Sequence, residues 1–285
     1  MMGSARFRFA STLLIASVVA AAVGCGSARA EPQAGGMALA SHLAIYDLKL
    51  ANSRGKRSLE AVQGRIVYDF SSACEGYGLQ FRQVTSLDSG EGKTALSDLR
   101  ATSWEDAEAK SFRFTSQNFL DDRMVEDVDG NAERQPDGVA VKLTKPEQKQ
   151  FSAGRAVFPT EHMREILAAA HAGKSLLQIE VYDGSDNGQK VYQSLTVIGR
   201  KIAPDERKPT DAAAGQSALA GLDRWPVTIS YFDKTNQSGE QTPVYSIGFE
   251  LYDNGISRAL VLDYGDFAVS GDMTSLELKD TKPCR

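Results

Sequence analysis

Three histidines, His42, His162 and His171, are the side chains of this sequence best suited to bind a metal or to transfer protons near neutral pH. His162 and His171 are nine residues apart, which is not the i, i+4 spacing that brings two helical ligands to one site. The segment Thr160-Glu161-His162 also differs from the H-E-x-x-H sequence of zinc proteases. The histidines therefore predict no metal site, and no other motif predicts a cofactor.

Serines and carboxylates give no clearer indication of catalysis. No serine lies in a G-x-S-x-G turn, which is the usual setting of a hydrolase nucleophile. Any of several acidic pairs has the residue types of a glycosidase acid and base: Glu105-Asp106, Asp121-Asp122 and Glu126-Asp127. In an acidic chain such pairs are more often solvated loop charges, and no spacing selects one of them.

The segment from Asp183 to Gly188 resembles the first half of a calcium-binding loop. A calcium loop needs a carboxylate six residues after its glycine, and Ser194 occupies that position. Since the segment also joins two strand patterns, it predicts a turn between strands.

Alternation of apolar and polar residues is the dominant pattern from residue 39 onward, as in Ile66, Tyr68 and Phe70 or Ile247, Phe249 and Leu251. Clean alternation is typical of antiparallel strands with one buried face. Turn sequences such as Asp253-Asn254-Gly255 separate these runs. The pattern predicts a mainly β protein with a dozen or more strands in a sandwich, barrel or spiral.

One segment, Phe158 to Gly173, has helical periodicity, with Met163, Ile166, Leu167 and Ala170 on one apolar face. Thr160 is the predicted N-cap, and Gly173 is the predicted left-handed stop. The apolar face must pack on sheet, so we expect a plug or lid on a curved β structure.

Aromatic side chains on or beside the strands are the strongest indication of a binding site. Most aromatic residues are expected to fill the core, but a strongly curved sheet can leave a concave apolar cavity for a greasy ligand. The predicted cavity residues are Trp104, Phe112, Phe114, Met163, Ile166, Leu167, Tyr245 and Phe249.

The first thirty residues have the pattern of a secretory signal. Arg6 and Arg8 precede an apolar run, and Ala28-Arg29-Ala30 has the small-x-small form of a cleavage site. We predict cleavage after Ala30, a periplasmic location and a single domain over residues 31–285. The alternative is lipid attachment at Cys25 after Ala22-Val23-Gly24.

Within the predicted domain, residues 203–223 lack periodicity and are rich in proline and alanine, which predicts a mobile surface loop.

The charge of the predicted mature chain argues against a nucleic-acid partner. Removal of Arg6, Arg8 and Arg29 leaves 29 basic residues against 37 acidic ones, a formal net charge of −8. Nucleic-acid sites need clustered Lys and Arg side chains, which are not found here.

Two cysteines, Cys74 and Cys284, remain in the predicted mature chain. In an oxidising compartment two cysteines most often pair, and a redox-active pair is the alternative. The sequence has no C-x-x-C spacing, which favours a structural disulfide.

Several long segments resemble, in order, the envelope integrity protein B (EipB) family of alphaproteobacterial periplasmic proteins. The resemblance covers about Ala40 to Cys284. It rests on Trp104-Glu105-Asp106, Lys110-Ser111-Phe112-Arg113-Phe114, Val157-Phe158-Pro159-Thr160-Glu161-His162-Met163, Val181-Tyr182-Asp183-Gly184-Ser185-Asp186, and the stretch from Gly239 to Gly255.

The resemblance implies one domain of antiparallel strands in a spiral or open oval barrel with a concave cavity. It implies a role in maintaining the cell envelope, no known catalytic residues, and a disulfide between Cys74 and Cys284.

The resulting hypothesis is a non-enzymatic periplasmic protein that maintains outer-membrane integrity by binding a lipid, lipoprotein or peptide, or by docking a periplasmic protein partner. One alternative is a hydrolase acting on envelope polymers through unidentified carboxylates, and another is an interaction module with a filled interior.

Overall fold

Antiparallel strands of one continuous sheet make up most of the described chain. The computed structural model describes residues 39–54, 59–90, 92–213, 215–234 and 242–280. The strands of these residues are β1 His42–Ser53, β2 Ala61–Ser72, β3 Gly76–Asp88, β4 Thr94–Asp106, β5 Ser111–Leu120, β6 Arg123–Gln135, β7 Gly138–Lys145, β8 Lys149–Ser152, β9 Leu176–Val181, β10 Tyr192–Ile198, β11 Arg224–Asp233, β12 Tyr245–Tyr252, β13 Ser257–Asp263 and β14 Phe267–Leu278.

The strand order is β8-β7-β6-β5-β4-β3-β2-β1-β14-β13-β12-β11-β10-β9. Neighbours in the sheet are mostly neighbours in sequence, and the exception is the central pairing of β1 with β14. There Tyr46 lies opposite Ile66 on one side and Met273 on the other. All three side chains are buried, so the two-residue alternation correctly predicted which face is inward.

The two edge strands, β8 and β9, do not pair, so the sheet is an open spiral rather than a closed barrel. The chain that follows β8 partly bridges the gap. Val157 donates its N–H to the Glu180 carbonyl at 2.8 Å and accepts from the Tyr182 N–H at 3.0 Å. These bonds satisfy the free edge of β9 near its end.

The described residues contain one α-helix, α1, which runs from Pro159 to His171 and packs against β9 and β10. Its N-cap is Phe158, not Thr160 as predicted. Pro159 fixes the helix start two residues earlier because its ring presets φ at the first helical position. The helix stops at Gly173 as predicted, with φ +68 and an N–H bond to the Ala170 carbonyl at 3.0 Å.

Apolar residues form two separate clusters. The larger lies between β1–β2, β11–β14 and α1, and includes Tyr46, Ile166, Leu167, Trp225 and Leu251. The smaller lies under β5–β7 and contains Phe112, Phe114, Leu143, Phe158 and Tyr182. Its rings are tightly associated, with centroids of Phe112 and Phe158 5.3 Å apart and of Phe114 and Tyr182 5.7 Å apart.

Residues 203–223 are irregular, as predicted, apart from a short 3-10 helix at Ser217–Leu219. Several groups of this segment contact the sheet, and its mobility stays a prediction. Asp211 pairs with buried Arg258, and Arg207 pairs with Glu250 of β12. Ala213 is buried and donates its N–H to the Met273 carbonyl at 3.3 Å.

The described residues all belong to one compact unit, residues 37–285. Within these described ranges, no helix is long and apolar enough to cross a membrane. The predicted signal segment, its cleavage site after Ala30 and Cys25 lie outside the described residues, as does Cys284.

Candidate functional site: an interior cavity

A cavity of about 420 Å³ lies inside the larger cluster, between the walls formed by β1–β3 and β11–β13. The first half of α1 contributes to its lining. We call this space the interior cavity. Its lining residues are Leu39, Ala40, His42, Tyr46, Ile66, Tyr68, Phe70, Tyr77, Gly78, Leu79, Phe81, Gln83, Ser103, Pro159, Thr160, His162, Met163, Ile166, Val181, Asp183, Ile229, Tyr231, Tyr245, Ile247, Phe249, Asn254, Gly255, Ser257, Leu260 and Leu262.

Aromatic rings cover much of both walls. On the first wall the ring of Tyr68 stacks on His42 at 5.6 Å and on Phe70 at 6.3 Å. On the second wall Tyr231 stacks on Tyr245 at 6.2 Å. Rigid aromatic walls with a few polar groups are typical of small-molecule sites, whose volumes run from about 300 to 1,000 Å³.

Four of the eight predicted cavity residues do line the interior cavity: Met163, Ile166, Tyr245 and Phe249. Leu167 does not. Leu167 is fully buried in the larger cluster. It follows Ile166 directly, and successive side chains on a helix point in different directions because a turn holds about 3.6 residues. Whether the four wall residues touch a ligand stays a prediction.

Phe112, Phe114 and Trp104 lie away from the interior cavity. Phe112 and Phe114 fill the smaller cluster, since the inward face of β5 meets Phe158 and Tyr182 there. Trp104 lies opposite Arg113 in the sheet register, on the other face from Phe112. Its ring packs under the Arg113 guanidinium at 4.7 Å. Trp104 and Phe114 border a second, more open groove with polar neighbours such as Asn131 and Glu133.

Sequence reasoning missed most of the first wall, including His42, Tyr68, Tyr77 and Phe81. The alternation of β2 and β3 showed that Tyr68 and Phe81 face inward together. Nothing in that pattern distinguished an inward ring that borders empty space from one that meets another side chain.

His42, at the start of β1, is buried and makes one fixed hydrogen bond. Its Nδ1 donates to the Ala40 carbonyl at 2.7 Å, because a carbonyl can only accept. Burial lowers the pKa of His42, and the Ala40 hydrogen bond opposes this only in part.

His162, in the first turn of α1, is also buried. The Ser194 hydroxyl donates to the Ile179 carbonyl at 2.9 Å, so Ser194 accepts from His162 Nε2 at 3.3 Å. Burial lowers the pKa of His162 to about 4. The imidazole is therefore neutral at physiological pH.

Glu105, at the end of β4, lies opposite Phe112 in the sheet register and binds the start of α1. Its two carboxylate oxygens accept from the N–H groups of Thr160 and Glu161, both at 2.7 Å. The side chain is 2% exposed, and burial raises the pKa of Glu105 to about 7 although these bonds favour the charged form.

Ser194 and members of the three acidic pairs form hydrogen bonds or ion pairs within the protein. Ser194 is fully buried and its proton is held by a carbonyl, so it is not set up as a nucleophile for His162. Glu105 caps a helix, while Asp106 caps the β4–β5 turn through the Glu108 N–H at 2.9 Å. Asp121 accepts from the Leu96 N–H at 2.8 Å, and Asp127 pairs with Lys145 at 2.8 Å.

Among the described residues, no group of three or more His, Cys, Asp or Glu side chains is arranged to hold a metal ion. The calcium-like segment joins the antiparallel strands β9 and β10 through a short 3-10 helix at Asp186–Gly188, which confirms the predicted turn.

Comparison with known proteins decides the family. A family model described as EipB-like matches residues 33–280. The chain belongs to the EipB-like family. A relative from Brucella abortus (strain 2308), the "Cell envelope integrity protein EipB", is 37% identical over 275 residues, which cover 96% of each chain. This relationship supports a role in the integrity of the cell envelope, in a family that is not known for enzymes.

A solved structure has the same fold. It is described as the crystal structure of a beta-barrel-like protein of the domain of unknown function DUF1849 from Brucella abortus. The match has a TM-score of 0.78 at 37% identity and covers 86% of this chain and all of the other. The mainly β, spiral architecture predicted from the sequence is thereby confirmed.

Proposed function

We propose that this protein is a non-enzymatic component of the periplasm that maintains envelope integrity by holding an apolar ligand in the interior cavity. The ligand is a lipid, or an apolar part of a lipoprotein or peptide, and a periplasmic protein is the partner that delivers or receives it. The periplasmic location fits the envelope role of the relative, and the predicted signal peptide supports it.

The observation that carries this proposal is the unfilled space itself. Protein interiors are normally packed to crystal-like density, and a void among apolar side chains loses dispersion contacts. A cavity of about 420 Å³ between aromatic walls is therefore costly to keep unless a ligand occupies it.

A probe-binding experiment tests the proposal. Mature protein, residues 31–285, is titrated with the neutral fluorophore N-phenyl-1-naphthylamine. Ile247→Trp, which fills the cavity from β12, is expected to weaken binding by about tenfold or more, the equivalent of about 1.4 kcal/mol.

Val261→Trp is the matched control. Val261 is on the adjacent strand β13, pairs with Gly248 and faces solvent. It is expected to bind the probe as the parent does. Equal loss in both variants, or no binding by the folded parent, would contradict the proposal.

A further inference from the structure

The wall of the interior cavity carries hydrogen-bond acceptors but no Lys or Arg side chain. Both histidines on its wall are neutral and buried, and each has its single N–H group held by the protein. The remaining ring nitrogen of a neutral imidazole is an acceptor. The orientation of these two rings therefore restricts which head group the cavity can accept.

The acceptor of His42 is Nε2. Its Nδ1 proton is given to the Ala40 carbonyl at 2.7 Å, and the ring is clamped between Tyr68 and Phe70 at 5.6 and 5.9 Å. Among the described residues, Nε2 has no hydrogen-bond partner although the side chain is 97% buried.

The acceptor of His162 is Nδ1. Its Nε2 proton is given to Ser194, whose own proton goes to Ile179. The ring packs edge-on against Tyr231 at 6.4 Å. In the described part of the chain, Nδ1 has no partner, and the side chain is 3% exposed. Among the described residues, Thr196 Oγ1 is the one fully buried side-chain N or O atom without a partner, so these two imidazole nitrogens keep some accessible surface. Since both residues line the interior cavity, a donor held there can reach them.

The charged side chains of the wall also disfavour an anionic head group. No Lys or Arg lies among the lining residues, and Asp183 is the one Asp or Glu side chain there. One oxygen of Asp183 accepts from the N–H and hydroxyl of Ser185 at 2.9 and 2.8 Å. An anionic head buried here would lose its hydration with no cation to replace it.

The remaining polar side chains of the wall are uncharged: tyrosine hydroxyls, notably those of Tyr68, Tyr231 and Tyr245, and the side chains of Gln83, Ser103, Thr160, Asn254 and Ser257. The two amides, like the hydroxyls, carry both donors and acceptors. A hydroxyl both donates and accepts, so these groups do not select against a donor head. They do not supply the positive charge that an anion would require.

We propose that the interior cavity selects a single-chain amphiphile whose head donates hydrogen bonds and carries no negative charge, such as a hydroxyl, amide or ammonium group. This inference rests on the proposed function, because it assigns the head group of the same ligand. The apolar chain lies along the aromatic walls, and the head donates to His42 Nε2 and His162 Nδ1.

The test uses compounds that share an unbranched saturated chain of twelve carbons, counting the carboxyl carbon, and carry different head groups. Dodecanol, dodecylammonium, methyl dodecanoate and dodecanoate compete with N-phenyl-1-naphthylamine for mature protein at pH 7.5. Dodecanol and dodecylammonium are expected to bind about five- to tenfold more tightly than methyl dodecanoate, which cannot donate, for one to two hydrogen bonds. Dodecanoate is expected to bind weakest.

Two outcomes separate this inference from the proposed function. If dodecanoate or methyl dodecanoate binds as tightly as dodecanol, the head-group inference is overturned while the cavity still binds apolar chains. If the probe does not bind at all, the proposed function fails first.

Variants locate the selectivity. His162→Leu is expected to reduce the preference for dodecanol over methyl dodecanoate about fivefold while keeping probe binding. His171→Leu is the matched control, because His171 is on the same helix but pairs with Asp253 away from the lining. An unchanged preference in His162→Leu and in His42→Phe would overturn the assignment. Urea unfolding verifies that each variant is folded, and the dodecyl series on the parent needs no variant.

Discussion

At the scale of single residues, Glu105 illustrates how a buried carboxylate can position the start of a helix. It satisfies two of the N–H groups that the first turn of any helix leaves unpaired. Arg134 meanwhile pairs with Glu161 of the same turn at 2.5 Å. The helix start that carries His162 and Met163 is therefore fixed by a side chain from β4.

The raised pKa of Glu105 predicts a specific pH dependence of stability. An acid whose pKa rises from 4.5 unfolded to about 7 folded binds more protons when folded, so its contribution to stability falls as pH rises through that window. Glu105→Gln cannot ionise. Its free energy of unfolding relative to the parent is expected to increase by up to about 1.4 kcal/mol per pH unit between pH 5 and 7, then level off.

Urea unfolding of both proteins at pH 5, 6, 7 and 8 measures this difference. Asp106→Gln, at the neighbouring, partly buried position in the turn, serves as the control for removing a carboxylate there. A difference between Glu105→Gln and parent that shrinks as pH rises would mean that the folded protein prefers the charged carboxylate.

At the scale of elements, the described residues 203–213 and 215–223, which we call the strap, bind side chains of β11, β12 and β13. Glu250 accepts from Arg207, from Arg224 at 2.8 Å and from Arg258 at 2.5 Å. Arg224 is 1% exposed, and burial lowers its pKa. Three guanidinium groups thus share one carboxylate, with Asp211 pairing the third. Removal of either carboxylate would leave a buried guanidinium charge without its partner, which destabilises the folded protein.

Glu250→Gln is therefore expected to lower the free energy of unfolding by about 3 kcal/mol and to release the strap. Limited trypsin digestion should cleave after Arg207 or Lys208 faster in the variant than in the parent. Glu206→Gln is the matched control, because Glu206 pairs with exposed Arg200 and such surface pairs contribute at most about 1 kcal/mol. Equal cleavage rates in parent and Glu250→Gln would show that the network does not hold the strap.

At the scale of the whole molecule, the pairing of β14 with β1 brings the two ends of the described chain to the centre of the sheet. Lys279 donates its N–H to the Ser41 carbonyl at 2.8 Å. The Ser72 N–H in turn bonds the Ser41 hydroxyl at 2.8 Å. Cys74 follows Ser72 closely in the β2–β3 turn. Cys284 lies outside the described residues, so the disulfide stays a prediction.

The predicted disulfide should be stabilising rather than redox-active. Closing a loop of this length contributes about 5 kcal/mol in the chain-entropy model. Cys74→Ser and Cys284→Ser are expected to lower the thermal unfolding midpoint equally, and by as much as a reducing agent lowers it in the parent. Unequal shifts in the two variants, or no response of the parent to reduction, would contradict a structural bond.

Local patterns were sufficient to predict most of the architecture. Alternation identified the buried faces of β2, β3 and β12, because side chains on a strand point to opposite faces in turn. Helical spacing identified α1, and glycine chemistry identified its end at Gly173, since few other residues adopt positive φ. The family resemblance, carried by long segments in order, identified the spiral and the envelope role.

Only the tertiary structure decided which inward side chains surround empty space. Phe112 and Phe249 have the same alternating pattern, yet Phe112 meets Phe158 while Phe249 borders the interior cavity. Likewise, no spacing linked Glu105 to Thr160, or His162 to Ser194, because those contacts join strands and helix that are distant in sequence. A cavity and its polar groups arise from how separate walls curve towards each other, and this geometry is not encoded in the period of any one strand.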